Sequence, residues 1–248
     1  MIFLDIRGRF GNQLTQYWLG RYLADLWNVP LSVSIPDSTA LARFLYPVKL
    51  SIISFDDVLK KSQSMLNLSS ISSPDKLANP GCDCYIQQFN ENSALICPFQ
   101  TYIQSIYPIS WAPRIDQIAI HVRLGDLTHQ YVKYESNYIN LVKNVCQSYS
   151  TIPAVIYTDE PNHLAVNRMK TATRASVRNS PDELTDFHEL VHSAILISSS
   201  STFIWWAAFL NPYLIAYHVY LPECMLATRD HRQLYNQDYL PKTWHIYN

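Results

Sequence analysis

Charge is scarce in this chain of 248 residues: Asp, Glu, Lys and Arg together make up 16%, and the formal net charge is −1. That balance leaves no basic footprint for a nucleic-acid backbone. No uncharged apolar run approaches the roughly 18 residues that a membrane span requires, and the N-terminus, Met-Ile-Phe-Leu-Asp-Ile-Arg, has no basic segment ahead of an extended apolar one. Cysteines number five, at Cys82, Cys84, Cys97, Cys146 and Cys224. Cys82 and Cys84 stand too close for the usual zinc knuckle and have no matching second pair, so reduced thiols in a cytosolic setting are expected. No internal repeat recurs at a fixed period. Glycine is the rarest small residue, with five in all, and two of them, Gly8 and Gly11, fall in one turn.

Apolar residues are plentiful at 48%, enough for a substantial core and too many for a disordered chain. The 17 tyrosines and 6 tryptophans suit sugar faces, although core filling is the commoner use of such rings. The length fits one large domain or two small ones.

The chain is organised around Ile118-Ala-Ile-His-Val-Arg-Leu-Gly-Asp126. Its aliphatic opening predicts a strand buried on both faces, and the break into Arg123, Gly125 and Asp126 marks the carboxyl end, where open α/β sheets bind ligands. His121 and Arg123 share one side of that strand end. Together they suit an anion such as a diphosphate, because a guanidinium presents a fixed fork of donors. Alone, a His-x-Arg at a strand end is more often a local ion pair or a satisfied core histidine than a site.

In chain order, Ile2–Ile6 predicts a first strand, followed by the glycine turn Arg7–Gln13 and a helix from about Asn12 to Trp27 carrying Leu14, Tyr17 or Trp18, Tyr22 and Leu26. Such a strand–turn–helix lets backbone and the Asn12 side chain approach a ligand, or simply shapes a tight connection. Leu31–Ile35 and Val48–Ile53 predict strands, Asp56–Met65 a helix, and Asn67–Pro80 a surface loop. Tyr85–Tyr107 has no clear period. Pro108 to Arg114 reads as a linker, giving domains at 1–112 and 113–248. Thereafter the pattern predicts a helix at Tyr134–Tyr149, a strand at Ala154–Thr158 and a helix at Asn162–Lys170. A helix capped by Ser180 with Pro181 and Glu183 then buries Leu184, Phe187, Val191 and Ala194. A strand at Ala194–Ile197 and a short helix at Thr202–Leu210 complete the pattern.

This βα alternation places the loops after three strands on one sheet edge. Arg123–Asp126, Asp159-Glu160 and Ser198–Thr202 are those loops. Serine hydroxyls and N–H groups entering a helix form an anion site or an ordinary cap. A carboxylate such as Asp159 can accept from the N1–H and 2-amino group of guanine, or sit in a solvated turn.

Three ordered motifs resemble the α-1,2-fucosyltransferase family and its α-1,6- and protein O-fucosyltransferase relatives. Gly8-Arg-Phe-Gly-Asn-Gln13 is similar to their Gly-x-x-Gly-Asn-Gln, and His121-Val-Arg-Leu-Gly-Asp126 to their His-x-Arg-Arg-x-Asp. Ser199-Ser-Ser-Thr-Phe-Ile-Trp-Trp-Ala-Ala208 resembles the Ser-Asn-Ser-Thr-Phe-Ser-Trp-Trp-Ala-Ala of the α-1,2 branch. Leu124 replaces the second arginine of the family's pair, and Ser200 replaces an asparagine.

The resemblance implies an α/β fold of GT-B type, two Rossmann-like domains facing across a cleft, with the acceptor side N-terminal and the nucleotide sugar C-terminal. It implies GDP-fucose as donor, a glycan hydroxyl as acceptor, inversion at the anomeric carbon, and neither cofactor nor metal. No Asp-x-Asp, the usual metal–diphosphate motif, occurs in the chain. The donor set it implies is Gly8, Arg9, Phe10, Gly11, Asn12, His121, Arg123, Asp159, Ser199, Ser200, Ser201 and Thr202. Arg123 would meet the β-phosphate, His121 and Asp159 guanine, and Asn12 the diphosphate or fucose. Arg7 and Arg9 are candidates to replace the charge missing at Leu124. Asp126 is the candidate base, or else the brace of the Arg123 loop, with Glu135 and Asp186 behind it. Two further readings are a transferase for another nucleotide sugar and a non-catalytic glycan- or nucleotide-binding protein. A histidine phosphatase is excluded, since its Arg-His-Gly motif is absent.

Overall fold

A parallel sheet underlies each half of the chain. The computed structural model describes residues 1–35, 40–45, 51–52, 64–65, 84–86, 93–97, 100–106, 113–178, 180, 182–226 and 233–248. The chain divides into two units, Met1–Ile106 with Arg232–Tyr239, and Tyr107–His231 with Leu240–Asn248.

In the first unit, strands β1 (Ile2–Asp5), β2 (Leu31–Ser34), β3 (Ser51–Ile52), β4 (Ser64–Met65) and β5 (Cys84–Ile86) form a sheet of order β3-β2-β1-β5-β4. Helix α1 (Phe10–Leu26) connects β1 to β2. Short helices follow as α2 (Ala40–Phe44), α3 (Ser93–Ile96) and α4 (Gln100–Ile106). The α1 helix is buried almost all round, including Gln13, Thr15 and Gln16, whereas Leu26 is exposed. Its face against β1 needs Gly20, because a Cβ there would lie 2.4 Å from a methyl of Leu4.

The second unit has six parallel strands: β6 (Ile115–Val122), β7 (Ala154–Thr158), β8 (Ser176–Val177), β9 (Ser193–Ser199), β10 (Ala216–Tyr220) and β11 (Trp244–Tyr247). Their order, β11-β10-β9-β6-β7-β8, is that of a doubly wound dinucleotide-binding sheet. Helices α5 (Thr128–Tyr131), α6 (Glu135–Ser148), α7 (Leu164–Thr173), α8 (Glu183–His192), α9 (Thr202–Leu210) and α10 (Glu223–Leu226) fill the connections. Tyr138, Leu141, Val142 and Val145 of α6 pack on Ile118, Ile120 and Val122 of β6 and Ile195 and Ile197 of β9. The α9 helix has almost no polar surface to offer: Ile204 through Leu210 are buried, Trp205 stacks on Phe209 at 4.9 Å, and Trp244 meets Trp205 edge-on. The order in which strands are added reverses between β6 and β9, which lie side by side at the centre with β7 and β8 on one flank and β10 and β11 on the other. Their carboxyl ends form the switch point of the sheet.

Most elements fall where patterning puts them, and the departures have local causes. The α1 helix begins at Phe10, earlier than expected, because Arg9 in extended conformation accepts the first helical bond from Gln13 N at 3.0 Å. Asp182, rather than Ser180, caps α8: its carboxylate accepts from Thr185 N at 3.2 Å, while the Ser180 hydroxyl accepts from Asp182 N. An anionic cap also complements the helix dipole. That helix buries Phe187, Leu190 and Val191, leaves Leu184 half-buried, and gives Ala194 to the strand. The α7 helix starts at Leu164 and runs to Thr173, capped by the His163 ring accepting from Ala165 N. Ser64 and Met65, at the end of the expected 56–65 helix, are strand. The remainder of that helix, the 67–80 loop and the 108–112 part of the linker lie outside the described residues. Among the described residues no helix is long and apolar enough to cross a membrane, and Cys97, Cys146 and Cys224 are free thiols.

Candidate active site

At the carboxyl end of β6 the chain makes a braced turn. Arg123 gives Nε and Nη2 to the Asp126 carboxylate at 2.8–3.2 Å. The Leu124 N–H donates to Asp159 Oδ1, 35 residues away beyond β7, at 2.8 Å. The Leu124 carbonyl accepts from Leu127 N at 2.7 Å and from the Thr128 hydroxyl at 2.9 Å. A Cβ at Gly125 would lie 2.7 Å from Asp159 Oδ2, so a larger residue there would push on the carboxylate that holds the Leu124 N–H. Leu124 itself is fully buried in the cluster with Val122, Tyr131 and Tyr134. It is a core residue, and its side chain is not part of the ligand-facing surface.

His121 belongs to the other face of the sheet, in register with Tyr157 of β7 and Ser198 of β9. Its ring stacks on Phe203 of α9, with centroids 5.6 Å apart. Nδ1 is buried and has no hydrogen-bond partner among the described residues. Burial lowers its pKa to about 4, Asp159 opposing and Arg123 reinforcing that effect. The imidazole is therefore neutral at pH 7, and of the His121–Arg123 pair only Arg123 brings a positive charge. It is a hydrogen-bonding group whose setting suits a base edge better than a phosphate.

The depression carries a stability signature. Between pH 4 and 6.5 the unfolded chain holds a proton on His121 that the folded chain does not, so stability falls as pH drops through that window. The contribution is roughly 3 kcal/mol at most. His218, also lowered to about 4 by burial, acts in the same sense. Asp186, raised to about 6 mainly by burial, acts oppositely between 3.8 and 6 but is only half-buried. Melting curves recorded from pH 7 to 4.5 are expected to show Tm falling on acidification, with His121→Gln flattening the slope.

Across the switch point, β9 continues through Ser199, two residues past the expected strand end. The Ser198 and Ser199 hydroxyls reach sideways to Tyr217, at 2.7 Å, and to Tyr134. Ser199 is thus a strand residue whose hydroxyl is directed to Tyr134. Ser200 is buried, and its hydroxyl has no hydrogen-bond partner among the described residues. Ser201, extended, is the N-cap of α9, and Thr202 opens the helix. The first N–H groups of a helix have no intrahelical acceptor and carry the positive end of its dipole. One guanidinium, an unsatisfied hydroxyl and a helix N-terminus therefore follow adjacent strand ends. The exposed Asp159 carboxylate follows the third.

Asp126 takes both donors of Arg123, and its charge is best matched where it is. That geometry fits the bracing role better than proton abstraction. Glu135 is engaged by Arg168 at 3.0 Å, and Asp186 lies beside Arg178, its carboxyl raised to about 6 mainly by burial.

The glycine turn of the first unit has its own logic. Gly8 has φ 86, which L side chains seldom adopt. Two buried amides of α1 hold the turn: Gln13 Nε2 donates to the Gly8 carbonyl at 2.8 Å, and Gln16 exchanges bonds with the Arg7 carbonyl and N–H at 2.8 and 3.2 Å. Sequence reasoning passed over Gln16, although a glutamine one turn after Gln13 on the same helix was the available signal. Arg7 is paired with buried Asp5. Phe10 is turned into the core against Phe44 at 5.5 Å. Gly11 is buried in the first helical turn, Asn12 is half-buried beside it, and Arg9 is exposed.

No protein-family model matches the chain, and no curated protein matches it. Solved structures do. POFUT1 in complex with GDP is 11% identical at a TM-score of 0.52, over 88% of this chain and 97% of that one. The NodZ α-1,6-fucosyltransferase soaked with GDP-fucose is 14% identical at 0.47, over 85% and 92%. MurG from Acinetobacter baumannii is 11% identical at 0.41, over 99% and 84%. At such identities likeness reports architecture, and with two doubly wound parallel sheets the chain has the α/β fold of GT-B type.

Proposed function

We propose that this protein is an inverting, metal-independent glycosyltransferase that moves L-fucose from GDP-fucose to a glycan hydroxyl, forming an α-1,2 linkage. The observation that carries the reading is the pairing at one sheet edge of Arg123 with the unsatisfied Ser200 hydroxyl and the α9 N-terminus. Departure of GDP places charge on the β-phosphate, and in the absence of a cation fixed donors must meet it. Arg123 supplies the charge. Ser200, Ser201 and Thr202, with their N–H groups, supply the remaining donors. Neutral His121 and the Asp159 carboxylate are the groups for guanine, whose N1–H and 2-amino group both donate. Asp126 acts as a positioning residue by holding the guanidinium.

The donor identity rests on the three motifs, supported by the fold shared with POFUT1, which was solved with GDP. Gly8, Gly11 and Asn12 enter through the first motif alone. The α-1,2 linkage rests on Trp205-Trp206-Ala207-Ala208. The test is a product assay: protein treated with EDTA and given GDP-fucose with galactose-terminated oligosaccharides is expected to release GDP and yield a product cleaved by α-1,2-fucosidase. GDP release that requires added Mg2+ or Mn2+, or transfer only from UDP-sugars, would overturn the reading.

A further inference from the structure

We propose that a groove between α6 and the β10–β11 flank of the second sheet binds a neutral oligosaccharide, at a site separate from the nucleotide edge. The groove has a volume of about 720 Å3, within the ~300–1,000 Å3 range of small-ligand sites. His218 and Tyr220 are in register with Ile197 and Ser199, so they lie on the α6 face of the sheet, the face opposite His121.

One wall is an amide comb. Asn137, Asn140 and Asn144, followed by Ser148, recur at near-helical spacing along α6 and line the groove. Eleven residues of helix extend about 16 Å, so the comb is long enough for several sugar rings. Asparagine is a poor helix former, and three on one stripe are a local cost that helix formation does not explain. Each amide offers two donors and an acceptor, the complement of a hydroxyl-rich surface.

The facing wall is an aromatic platform. His218 stacks on His245 at 4.9 Å and on Tyr247 at 5.8 Å, with interplanar angles of 24° and 28°. Tyr220 extends the platform and accepts from Asn137 Nδ2 at 3.0 Å, tying the two walls together. His218 is buried, with Nδ1 bonded to the Tyr247 hydroxyl at 2.9 Å, while Nε2 has no hydrogen-bond partner among the described residues. Burial, with His245 adding to it, keeps that ring neutral at pH 7.

The chemistry selects the occupant. Among the described residues no Asp, Glu, Lys or Arg side chain lines the groove, which leaves it without the cations that a phosphate, a nucleic acid or an anionic membrane calls for. Among the described lining residues only Leu141 and Val145 are aliphatic, and the tyrosines and histidines stand opposite a polar row of amides rather than around an apolar centre. Flat rings opposite a row of amides match the apolar face and the hydroxyl edge of a sugar.

The full chain should be screened against immobilised cello-, malto-, laminari- and chito-oligosaccharides and N-acetyllactosamine oligomers, and hits titrated by calorimetry. Binding of at least one is expected, unaffected by saturating GDP and by Arg123→Ala. At least tenfold weakening is expected in the double variant Asn140→Ala/Asn144→Ala and in Tyr247→Ala. The asparagines are exposed, so the double variant should fold as wild type, which circular dichroism checks. Three results would overturn the proposal: no binding at millimolar sugar, binding unchanged in both groove variants, or binding lost with Arg123. A concentration-dependent dimer that becomes monomeric in the double variant would assign the groove to a second copy instead.

Discussion

Arg123→Ala is expected to reduce fucosyl transfer by about 10²–10³, a loss of roughly 2.7–4 kcal/mol of transition-state stabilisation, while leaving the fold intact. The two effects separate because of where the side chain sits. Arg123 is partly exposed and its partner Asp126 is 49% exposed, so their pairing contributes about 0–1 kcal/mol to stability. In the proposed reaction the same guanidinium is the group set to meet charge that develops on the leaving diphosphate. Asp126→Asn should give a smaller defect, because it loosens the guanidinium without removing it. If Asp126 were instead the base, Asp126→Asn would abolish turnover while GDP affinity stayed at the wild-type level. Kinetics and GDP titration of both variants distinguish the roles.

The second large effect is predicted at Leu124. Writing the family's second arginine into this chain, Leu124→Arg, is expected to destabilise it rather than to improve donor binding. Leu124 is fully buried in an apolar cluster. Loss of its packing costs about 2–5 kcal/mol, and an unpaired buried charge adds several more. Those losses together approach the ~5–15 kcal/mol total stability of an ordinary domain, so little folded protein should be recovered. Leu124→Met, which conserves volume, should cost less than ~1.5 kcal/mol and bind GDP as wild type. A folded Leu124→Arg protein with tighter GDP binding would mean that position 124 faces the ligand.

Leu124 also marks what the sequence made legible. Ile118, Ile120, Val122 and Leu124 recur at a period of two, and all four join the same cluster. The strand was legible from its continuous aliphatic run, whereas this alternation, extended by one more residue, is what places Leu124 in the core rather than in the position of a missing arginine. The strand ends, the α9 helix and the edge where three loops gather were readable because hydrophobic period and capping are local signals. Trp205 and Trp206 were legible as a motif, and their burial gives them a packing role within α9. Other features were not readable. The Leu124–Asp159 brace spans 35 residues, and no local pattern encodes it. Nor does composition reveal that Ser198 and Ser199 are satisfied by tyrosines and can extend a buried strand. Phe10 sits inside a glycine motif, yet one buried ring contact decides that it is core.

The central claim is that the β6–β9 edge holds a guanine nucleotide sugar without a metal. Calorimetric titration of EDTA-treated protein with GDP, GDP-fucose, GDP-mannose and UDP tests it most directly, with Arg123→Ala as the comparison. GDP and GDP-fucose are expected to bind, UDP at least tenfold more weakly, and GDP affinity is expected to be lost in the variant. No GDP binding, equal affinity for UDP, or an unchanged Arg123→Ala protein would contradict it.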